Sequence, residues 1–358
     1  MPPGRRLVPM KGNAVVVGGG VGGLAAARSL MQQGWSVAVY ERSPAFPRTG
    51  TVLGMWPEAL GALDEMGVGD KIRRASTRVS EAGAAGLRTP GGRTLVSLRR
   101  DRGLCLVSRP ALLSILADGV DVHFGHKVKD QRGLAGVDLV VGADGTFSDT
   151  RLAVFGAQFT ARPLGAVVWR GTVDGTVSSY GETWAPGAMF GITPAGPGSS
   201  NWYACLDAGG TFKPPHRQHL WDVFGSWRSG VTEVLERIEE GSILHHELFE
   251  APPLPAYASG NTVLVGDAAH AMAPFLGRGA CEALVDGAAL GRCLGNAATV
   301  ADGLAAYDHQ RRAKTQRMAA MSRRMGRLAM MRRGFVARNA AFGTAGGVLR
   351  LGASLKGR

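Results

Sequence analysis

The stretch AVVVGGGVGGLAAARSLMQQGWSVAVYER, residues Ala14 to Arg42, decides the fold of this chain. Its first four residues, Ala14–Val17, are apolar and rich in valine, as in a parallel strand that is buried on both faces. The segment from Leu24 to Gln33 is typical of a helix that ends at Gly34, and Trp35–Tyr40 is typical of a second strand. Strand, helix and strand in this order predict a βαβ unit.

Glycines occupy the turn between the first strand and the helix. Gly18 allows the tight turn, Gly20 lets backbone N–H groups approach a pyrophosphate, and Gly23 lets the helix pack closely on the sheet. The helix N-terminus adds the positive end of its dipole. Glu41, at the end of the second strand, is placed to accept hydrogen bonds from a ribose. The pattern favours dinucleotide binding over a glycine-rich turn without a ligand, but it does not identify the dinucleotide.

Length and composition limit the classes of protein to which the chain can belong. The 358 residues are enough to bury a full core, and we expect two lobes. Hydrophobic residues make up 45% of the chain and charged residues 19%, as in an ordinary globular enzyme. No apolar run has the length of a membrane span, and the basic start MPPGRRLVP precedes no apolar segment of a secretory signal. A cytoplasmic protein is expected.

The cysteines and histidines show no metal-binding pattern. Cys105, Cys205, Cys281 and Cys293 have no CxxC spacing, and the eight histidines form no HExxH motif. We therefore expect reduced thiols and no metal site.

The net charge of +13 is concentrated near the C-terminus, mostly after Asp308. No aromatic residues interleave the basic run as stacking platforms would, so no nucleic-acid partner is expected. Two interpretations stay open: a solvated helix face, or a surface attracted to an anionic lipid, NADPH or another acidic partner. The residues that carry the excess are Arg311, Arg312, Lys314, Arg317, Arg323, Arg324, Arg327, Arg332, Arg333 and Arg338.

The predicted fold class is α/β, with a Rossmann-like parallel sheet, an inserted and mostly antiparallel sheet domain, and C-terminal helices. The insertion is inferred because dinucleotide-type sequence resumes after a stretch of extended, aromatic-bearing segments. A TPGGR turn predicts a β-hairpin, and the glycine-rich tail is expected to be mobile. The predicted boundaries are the nucleotide-binding domain (10–75, 101–159 and 261–298), the hairpin that contributes to the substrate lobe (76–100), the sheet domain (160–260), and a basic helix with a flexible tail (299–358).

Two further buried strands end in a glycine and an aspartate. Asp138–Val141 leads into Gly142–Gly145, which contains Asp144, and Thr262–Val265 leads into Gly266 and Asp267. Carboxylates at the carboxyl ends of parallel strands point into the crevice where a cofactor binds. Either aspartate alone could equally be a helix cap or turn residue. Together with the first stretch, three strand ends offer polar groups to one crevice.

With these three motifs the sequence resembles the FAD-dependent aromatic hydroxylases of the para-hydroxybenzoate hydroxylase type, the group A flavoprotein monooxygenases. The resemblance covers nearly the whole chain, from about Gly12 to Arg333. Trp169–Gly171 and Tyr307–Arg312 are similar to the middle sheet and last helix of that family. The three motifs are Gly18–Gly23 with Glu41 and Arg42; Gly142–Gly145 with Ser148 and Arg151; and Gly266–His270 through Pro274, Gly277 and Gly279 to Asp286.

The resemblance implies FAD as the cofactor, with NADPH or NADH as the reductant. Glu41 would hold the adenosine ribose, Asp267 would bind the ribityl chain, and Asp144 is associated with both FAD and NADPH. The turn that opens the helix after Gly277 would offer backbone N–H groups to the flavin pyrimidine ring, where reduced flavin carries negative charge. The implied cofactor-binding residues are Gly18, Gly19, Gly20, Val21, Gly22, Gly23, Glu41, Arg42, Arg109, Asp144, Asp267, Gly277, Arg278, Gly279 and Ala280.

The implied reaction uses NADPH and O2 to hydroxylate or epoxidise an aromatic or polycyclic small molecule through a flavin C4a-hydroperoxide. No catalytic side chain is assigned, because the flavin carries the chemistry. We expect the substrate to contact the sheet lobe, where Trp169, Arg170, Trp184, Phe190, Trp202 and Tyr203 are concentrated, although each aromatic residue there is also a core candidate. The implied substrate-binding residues are Arg170, Trp184, Tyr203 and Pro274.

Two positions depart from the family pattern. Arg278 stands where the family usually has Gln, and it either adds positive charge near reduced flavin or points to solvent. Val52 stands where a glycine often lies near the isoalloxazine, which bears on how freely the flavin swings out.

Other functions stay open at this point. A flavin halogenase or an isoprenoid reductase would share the FAD lobe, but no WxWxIP-like segment is present. The chain could also be a redox-silent flavin-binding partner in a biosynthetic complex. The basic C-terminal helix motivates a third alternative, a membrane-surface hydroxylase of a quinone-type lipid.

Overall fold

The computed structural model describes residues 11–48, 50–78, 85–98, 104–128, 136–209, 212–228 and 230–354. Within these ranges the strands are β1 (Gly12–Val17), β2 (Trp35–Glu41), β3 (Val52–Met55), β4 (Thr77–Arg78), β5 (Ala85–Arg88), β6 (Thr94–Leu98), β7 (Cys105–Ser108), β8 (Asp121–Phe124), β9 (Leu139–Gly142), β10 (Arg162–Asp174), β11 (Tyr180–Ala185), β12 (Ala188–Gly196), β13 (Ser199–Leu206), β14 (Leu244–Glu250), β15 (Ala258–Ser259) and β16 (Thr262–Leu264). The helices in the same ranges are α1 (Val21–Gln32), α2 (Pro57–Glu65), α3 (Gly69–Arg74), α4 (Arg109–Ala117), α5 (Asp149–Phe155), α6 (His216–Phe224), α7 (Val231–Arg237), α8 (Asp267–His270), α9 (Gly279–Asn296), α10 (Val300–Ala329) and α11 (Phe335–Ser354).

The first sheet has six strands in the order β15–β16–β9–β1–β2–β8. All neighbours in it are parallel except the short edge pair β15–β16. Its central strand is buried from Ala14 to Val17, as the valine run predicts. The predicted Rossmann-like parallel sheet is therefore confirmed, and β1, β9 and β16 end side by side at one edge.

Helices α1 and α9 pack closely against each other beside this sheet, and two glycines allow the approach. A Cβ atom on Gly287 would lie 2.6 Å from backbone and Cβ atoms of Ala25. One turn later on α9, a Cβ on Gly291 would lie 2.6 Å from the Cβ of Ser29. Small residues on both helices thus set their separation, which fixes α9 relative to the glycine-rich turn of α1.

The second sheet has seven strands in the order β14–β10–β13–β12–β11–β5–β6. Its pairs are antiparallel except β11–β5, and β5 and β6 form the hairpin predicted around TPGGR. This sheet is the predicted antiparallel lobe.

The two faces of the second sheet pack against different elements. The back face is an apolar core against α6 and α7, and it takes the side chains of Trp169, Phe190 and Trp202. These three rings are at most 1% exposed, so they are core residues and not surface for a substrate. The front face packs against Phe275, the end of α10 and Phe342 of α11. The front face is thus the one that adjoins the parallel-sheet domain.

The C-terminal region differs from its prediction in one respect. In the basic run, Arg311 and Arg338 are buried and do not belong to a solvated face. The last helix, α11, runs from Phe335 into the glycine-rich tail, and Phe342, just before that tail, packs against Trp184 with ring centroids 5.7 Å apart. The expected mobility of the tail stays a prediction. In the described residues no helix is long and apolar enough to cross a membrane.

Replacing Gly287 with alanine should destabilise the protein by about 1–3 kcal/mol, because the added methyl group meets backbone atoms of α1. The matched control is Gly61→Ala in α2, where a Cβ meets nothing within 4 Å and removal of glycine should stabilise by about 0.5–1 kcal/mol. Urea unfolding midpoints measure both changes. Equal effects of the two substitutions would contradict the close-packing interpretation.

Candidate active site

Three loops meet at the edge where β1, β9 and β16 end. A Cβ on Gly18 would overlap the carbonyl of Ala143, so the first and second loops touch. Gly22 is in van der Waals contact with the third loop, since its Cβ would be 3.7 Å from the Gly266 Cα. Gly18 also has φ = +109°, a conformation that favours glycine. The three sequence motifs therefore form one crevice.

The buried side chain of Arg151 ties the second loop to the third. Its Nη2 donates to the Thr146 carbonyl (2.6 Å) and its Nη1 donates to the Ala268 carbonyl (2.9 Å). Its Nε donates to the Phe159 carbonyl (2.9 Å). With a further contact from Nη1 to the Asp267 carbonyl (3.3 Å), this planar guanidinium donates to four carbonyls and fixes the spacing of the loops around it.

The first loop forms a cradle of backbone N–H groups. Helix α1 begins after Gly20 without a side-chain cap, and a Cβ on Gly20 would meet nothing within 4 Å. Glu41 steadies this loop, because its Oε2 accepts from the Gly19 N–H (2.8 Å) and its Oε1 accepts from the Ser43 N–H (2.8 Å). Arg42 is exposed beside it. Free N–H groups at a helix N-terminus facing open space suit a phosphate group.

Asp144 shapes the second loop through both of its oxygens. Its Oδ1 accepts from Ser148 Oγ (2.5 Å), and its Oδ2 accepts from the N–H (2.9 Å) and Oγ1 (3.0 Å) of Thr150. These contacts lie at the start of α5, so the carboxylate works as part of a helix cap. A direct contact of Asp144 with FAD or NADPH stays a prediction.

Asp267 in the third loop faces the start of α9. Its side chain is exposed, and its Oδ1 would be 3.9 Å from a Cβ on Gly279. Gly277 has φ = +60° and would meet nothing within 4 Å at its Cβ, and α9 has no side-chain cap. A carboxylate and a set of free N–H groups thus lie on either side of a groove.

Arg278 is held by its neighbours and does not point to solvent. Its Nη2 lies 3.0 Å from Glu282 Oε1, its Nη1 lies 3.3 Å from Glu58 Oε2, and its guanidinium lies 5.6 Å from the ring centre of Trp56. The side chain is 15% exposed, so the solvent interpretation is wrong. Its charge stays at the N-terminus of α9, and its Nε has no hydrogen-bond partner in the described residues.

Behind this groove, Asp286 is the centre of a buried ionic network. Its Oδ2 accepts from the Gly266 N–H (2.9 Å) and from His270 Nε2 (2.6 Å). Its Oδ1 accepts from Arg311 Nε (2.6 Å), and Arg311 Nη2 also donates to Glu282 Oε2 (2.7 Å). The network thereby connects the third loop to α9 and α10.

The charges of this network shift one another's pKa values. Burial raises the pKa of Asp286, but His270 and Arg311 outweigh burial and hold it below its usual value. Burial lowers the pKa of His270, but the Asp286 carboxylate outweighs burial and holds it above the usual value. The pair is therefore stabilised in its charged form.

A row of polar side chains crosses the front face of the second sheet. The row lies across four neighbouring strands, with Arg170 on β10, Tyr203 on β13, Gly191 on β12 and Glu182 on β11. A Cβ on Gly191 would overlap the ring of Tyr203, so glycine lets the tyrosine lie across that strand. The Tyr203 hydroxyl donates to Glu182 Oε1, and Trp184 Nε1 donates to Glu182 Oε2 (2.8 Å).

Arg170 has no ion-pair partner among the described residues, and its buried Nε has no hydrogen-bond partner there. Burial lowers its pKa, and the neighbouring Arg109 guanidinium lowers it further. A buried guanidinium with an unpartnered nitrogen, next to a second guanidinium, favours an anionic or electron-rich ligand. Nearby, the Val52 N–H donates to Asn201 Oδ1 (3.2 Å), which joins β3 to the same face.

Trp184 and Pro274, the other two predicted substrate contacts, differ in accessibility. Trp184 is 6% exposed and is covered by Phe342 and by the guanidinium of Arg338, 5.4 Å from its ring centre. Pro274 is exposed at the entrance of the turn that carries Phe275. Direct substrate contact stays a prediction for both residues.

Glu182 and Glu282 belong to no motif of the sequence, and Arg311 was expected to lie on a basic surface. Glu182 alternates with Trp184 on one strand face, which is a weak signal for a shared site. Arg311 lies four residues from Tyr307 and four from Thr315, all buried on one side of α10, and that spacing could have placed it in the core. In the described residues no group of His, Cys, Asp and Glu could hold a metal ion.

The residues at the crevice fit FAD. The open space at Gly20, the uncapped starts of α1 and α9, and the exposed Asp267 provide sites for a pyrophosphate, an electron-rich ring and a polyol chain. None of these groups makes a contact that blocks the groove.

Substitution of Arg311 by methionine should cost about 3–5 kcal/mol of unfolding free energy, because Asp286 and Glu282 would lose their buried cation. Arg317→Met, at an exposed position of the same helix, should change stability by at most about 0.5 kcal/mol. Urea unfolding of both variants tests the network. A small loss in Arg311→Met would show that the network contributes little.

Stability should also depend on pH through His270. The pKa of His270 is raised in the folded protein. The His270–Asp286 pair therefore stabilises the fold fully below about pH 6.5, and this stabilisation is lost as the pH rises through the folded pKa. The difference in urea midpoint between the native chain and His270→Gln should therefore shrink from mildly acid to alkaline pH. The same substitution at exposed His309 serves as the control. A difference that is independent of pH would contradict the charged pair.

The sequence matches the family described as FAD binding domain over residues 11–322. It is 30% identical over 352 residues to an aurachin C monooxygenase/isomerase of Stigmatella aurantiaca, with 90% of each chain covered. It is 28% identical over 327 residues to a FAD-dependent urate hydroxylase of Klebsiella pneumoniae, covering 83% of this chain and 85% of that protein.

Solved structures show the same fold. Klebsiella pneumoniae HpxO complexed with FAD and uric acid superposes with a TM-score of 0.84 at 22% identity, covering 95% of this chain and 94% of that one. A salicylate hydroxylase substrate complex gives a TM-score of 0.78 at 19% identity, covering 94% and 93%. With the fold, the crevice and the matched family in agreement, the chain belongs to the FAD-dependent aromatic hydroxylases, the single-component group A flavoprotein monooxygenases.

Proposed function

We propose that the protein uses NAD(P)H and O2 to hydroxylate or epoxidise an aromatic or polycyclic small molecule that carries an acidic O–H or N–H group. Bound FAD would supply the electron transfer and oxygen activation, and the residues of the chain would bind and orient both molecules. The names of its relatives, which include urate and 6-hydroxynicotinate hydroxylases, support a ring substrate of this kind.

We assign the cofactor contacts by the chemistry of each loop. The free N–H groups from Gly20 to Gly23 would bind the pyrophosphate, Glu41 and Arg42 would lie at the adenosine end, and Asp267 would bind the ribityl chain. The start of α9, from Gly277 to Ala280, would face the pyrimidine edge of the ring. Arg278, fixed between two carboxylates, would add positive potential there.

The observation that carries the substrate proposal is the polar row on the front face. Arg170 has a buried donor without a partner, so an anionic or electron-rich substrate oxygen would satisfy it. The Tyr203 hydroxyl already donates to Glu182, which leaves its oxygen free to accept a proton-bearing group of the substrate. Arg170 and Tyr203 would therefore orient the ring from one side, with Trp184 behind Glu182 as support.

The surrounding front face is apolar and would exclude water from the reacting ring. Val168, Met189 and Leu248 are at most 5% exposed, and Phe275 joins the same cluster. A dry environment with few charged groups strengthens the interactions of those that remain. These features favour a substrate built on an aromatic ring system.

The first experiment is anaerobic reduction of bound FAD by NADPH, alone and with a panel of phenolic and polycyclic compounds. We expect one compound class to accelerate flavin bleaching and to gain labelled oxygen from O2 under turnover. Arg170→Gln should weaken binding of that compound, read from the flavin spectrum, by about tenfold or more, because a charge-assisted hydrogen bond is lost. Arg162→Gln, at an exposed position of the same strand, should bind it normally.

Two results would contradict the proposal. Equal binding by Arg170→Gln and the native chain would remove Arg170 from the substrate site. Absence of bleaching under every condition would favour a redox-silent flavin-binding partner.

A further inference from the structure

The whole excess of positive charge lies in the last part of the chain. The segment after Asp308 contains 13 Lys and Arg residues and no Asp or Glu, which equals the net charge of +13. The residues up to Asp308 therefore carry equal numbers of acidic and basic side chains. Such a separation of charge within one domain calls for a physical explanation.

Only part of this segment is used inside the protein. Arg311 and Arg338 are buried, Arg323 pairs with Glu250, and Arg332 lies 3.1 Å from Asp207. The others that the structure describes as exposed have no ion-pair partner among the described residues: Lys314, Arg317, Arg324, Arg327 and Arg333.

These free cations of α10 share one side of the helix. Arg317 and Arg324 are seven residues apart, and Arg327 follows at three, so all three project from the same half of the helix. The opposite half packs inward, with Thr315, Ser322 and Gly326 buried. Met321, on the outward side, is 49% exposed among these arginines.

The beginning of α11 adds an apolar face, and Arg338 ties this helix to the end of α10 by donating to the Leu328 and Ala329 carbonyls. Val336 is 68% exposed, and Ala337, Ala340 and Ala341 are also exposed. The other side of this helix is held by Arg338 and Phe342 against Trp184. These contacts fix the orientation of α11, so its apolar side chains face outward.

We propose that this C-terminal basic surface, formed by Arg317, Met321, Arg324, Arg327, Arg333 and Val336, docks the protein on an anionic lipid membrane. Clustered cations that have no ion-pair partner among the described residues are attracted to acidic headgroups, and the apolar side chains can enter the headgroup boundary. A nucleic acid fits less well, because Tyr307, the sole Phe, Tyr or Trp of α10, is buried and provides no stacking platform.

The same two helices cover the front face of the second sheet, where Met330 and Phe342 pack near Trp184. Docking would therefore place the substrate side of the protein close to the lipid, which matters for an apolar ring substrate. This last consequence rests on the proposed function. Docking itself does not, so its test is independent of catalysis.

The test is co-sedimentation of the full-length, FAD-loaded protein with vesicles. We expect binding to vesicles of equal parts phosphatidylglycerol and phosphatidylcholine at low salt, no binding to pure phosphatidylcholine, and release at high salt, since ions screen charge over about 10 Å at 0.1 M. Each cation near an anionic surface contributes about fivefold in affinity, so R324Q/R327Q/R333Q should bind at least about 30-fold more weakly. Val336→Glu should also weaken binding.

The matched control is R93Q/R162Q/R228Q, which removes the same charge from exposed positions elsewhere. This control should retain vesicle binding, and FAD content confirms that every variant is folded. The proposal is overturned by absence of binding to anionic vesicles at low salt. Equal losses in the two triple variants, or binding of a DNA duplex but not of vesicles through the same arginines, would overturn it as well.

Discussion

The buried carboxylate of Asp286 is the interaction on which the arrangement of the crevice depends. It accepts hydrogen bonds from the N–H of Gly266, from His270 and from Arg311, and these donors belong to a strand end, the short helix after it, and α10. An ionised carboxylate is costly to bury unless its lone pairs are satisfied. The three donors must therefore stay where they are, and with them the loop that carries Asp267.

The crevice itself is built largely from backbone and small residues. Gly18 lets the first two loops approach one another, and Gly287 lets α9 pack against α1. Side chains serve mainly to hold this backbone in place: Arg151 binds carbonyls of two loops, and Asp144 caps α5. A site that offers N–H groups and helix ends suits a large anionic cofactor, and it leaves the difficult chemistry to that cofactor.

The substrate side is built differently, because side chains from distant segments of the chain form it. Tyr203 reaches Glu182 because the intervening strand has glycine at position 191. Trp184 supports the same carboxylate while Arg338 and Phe342 of the last helix cover its ring. The C-terminal helices thus complete the front face of the sheet and at the same time present the positive charge of the chain outward.

The sequence by itself determined the parallel sheet, the three strand-end motifs, the inserted antiparallel lobe and the family, because these depend on local periodicity and on glycine spacing. Only the tertiary structure decided which charged and aromatic residues are buried. The helical spacing of Arg311 from Tyr307 is compatible with burial, but its partners Asp286 and Glu282 are visible only in the structure. The inward position of Trp169 and Trp202 depends on α6 and α7. Phe342 of α11 packs against Trp184, more than a hundred residues earlier in the chain. Burial, ion pairing and helix docking are properties of contacts between distant segments, and no local pattern encodes them.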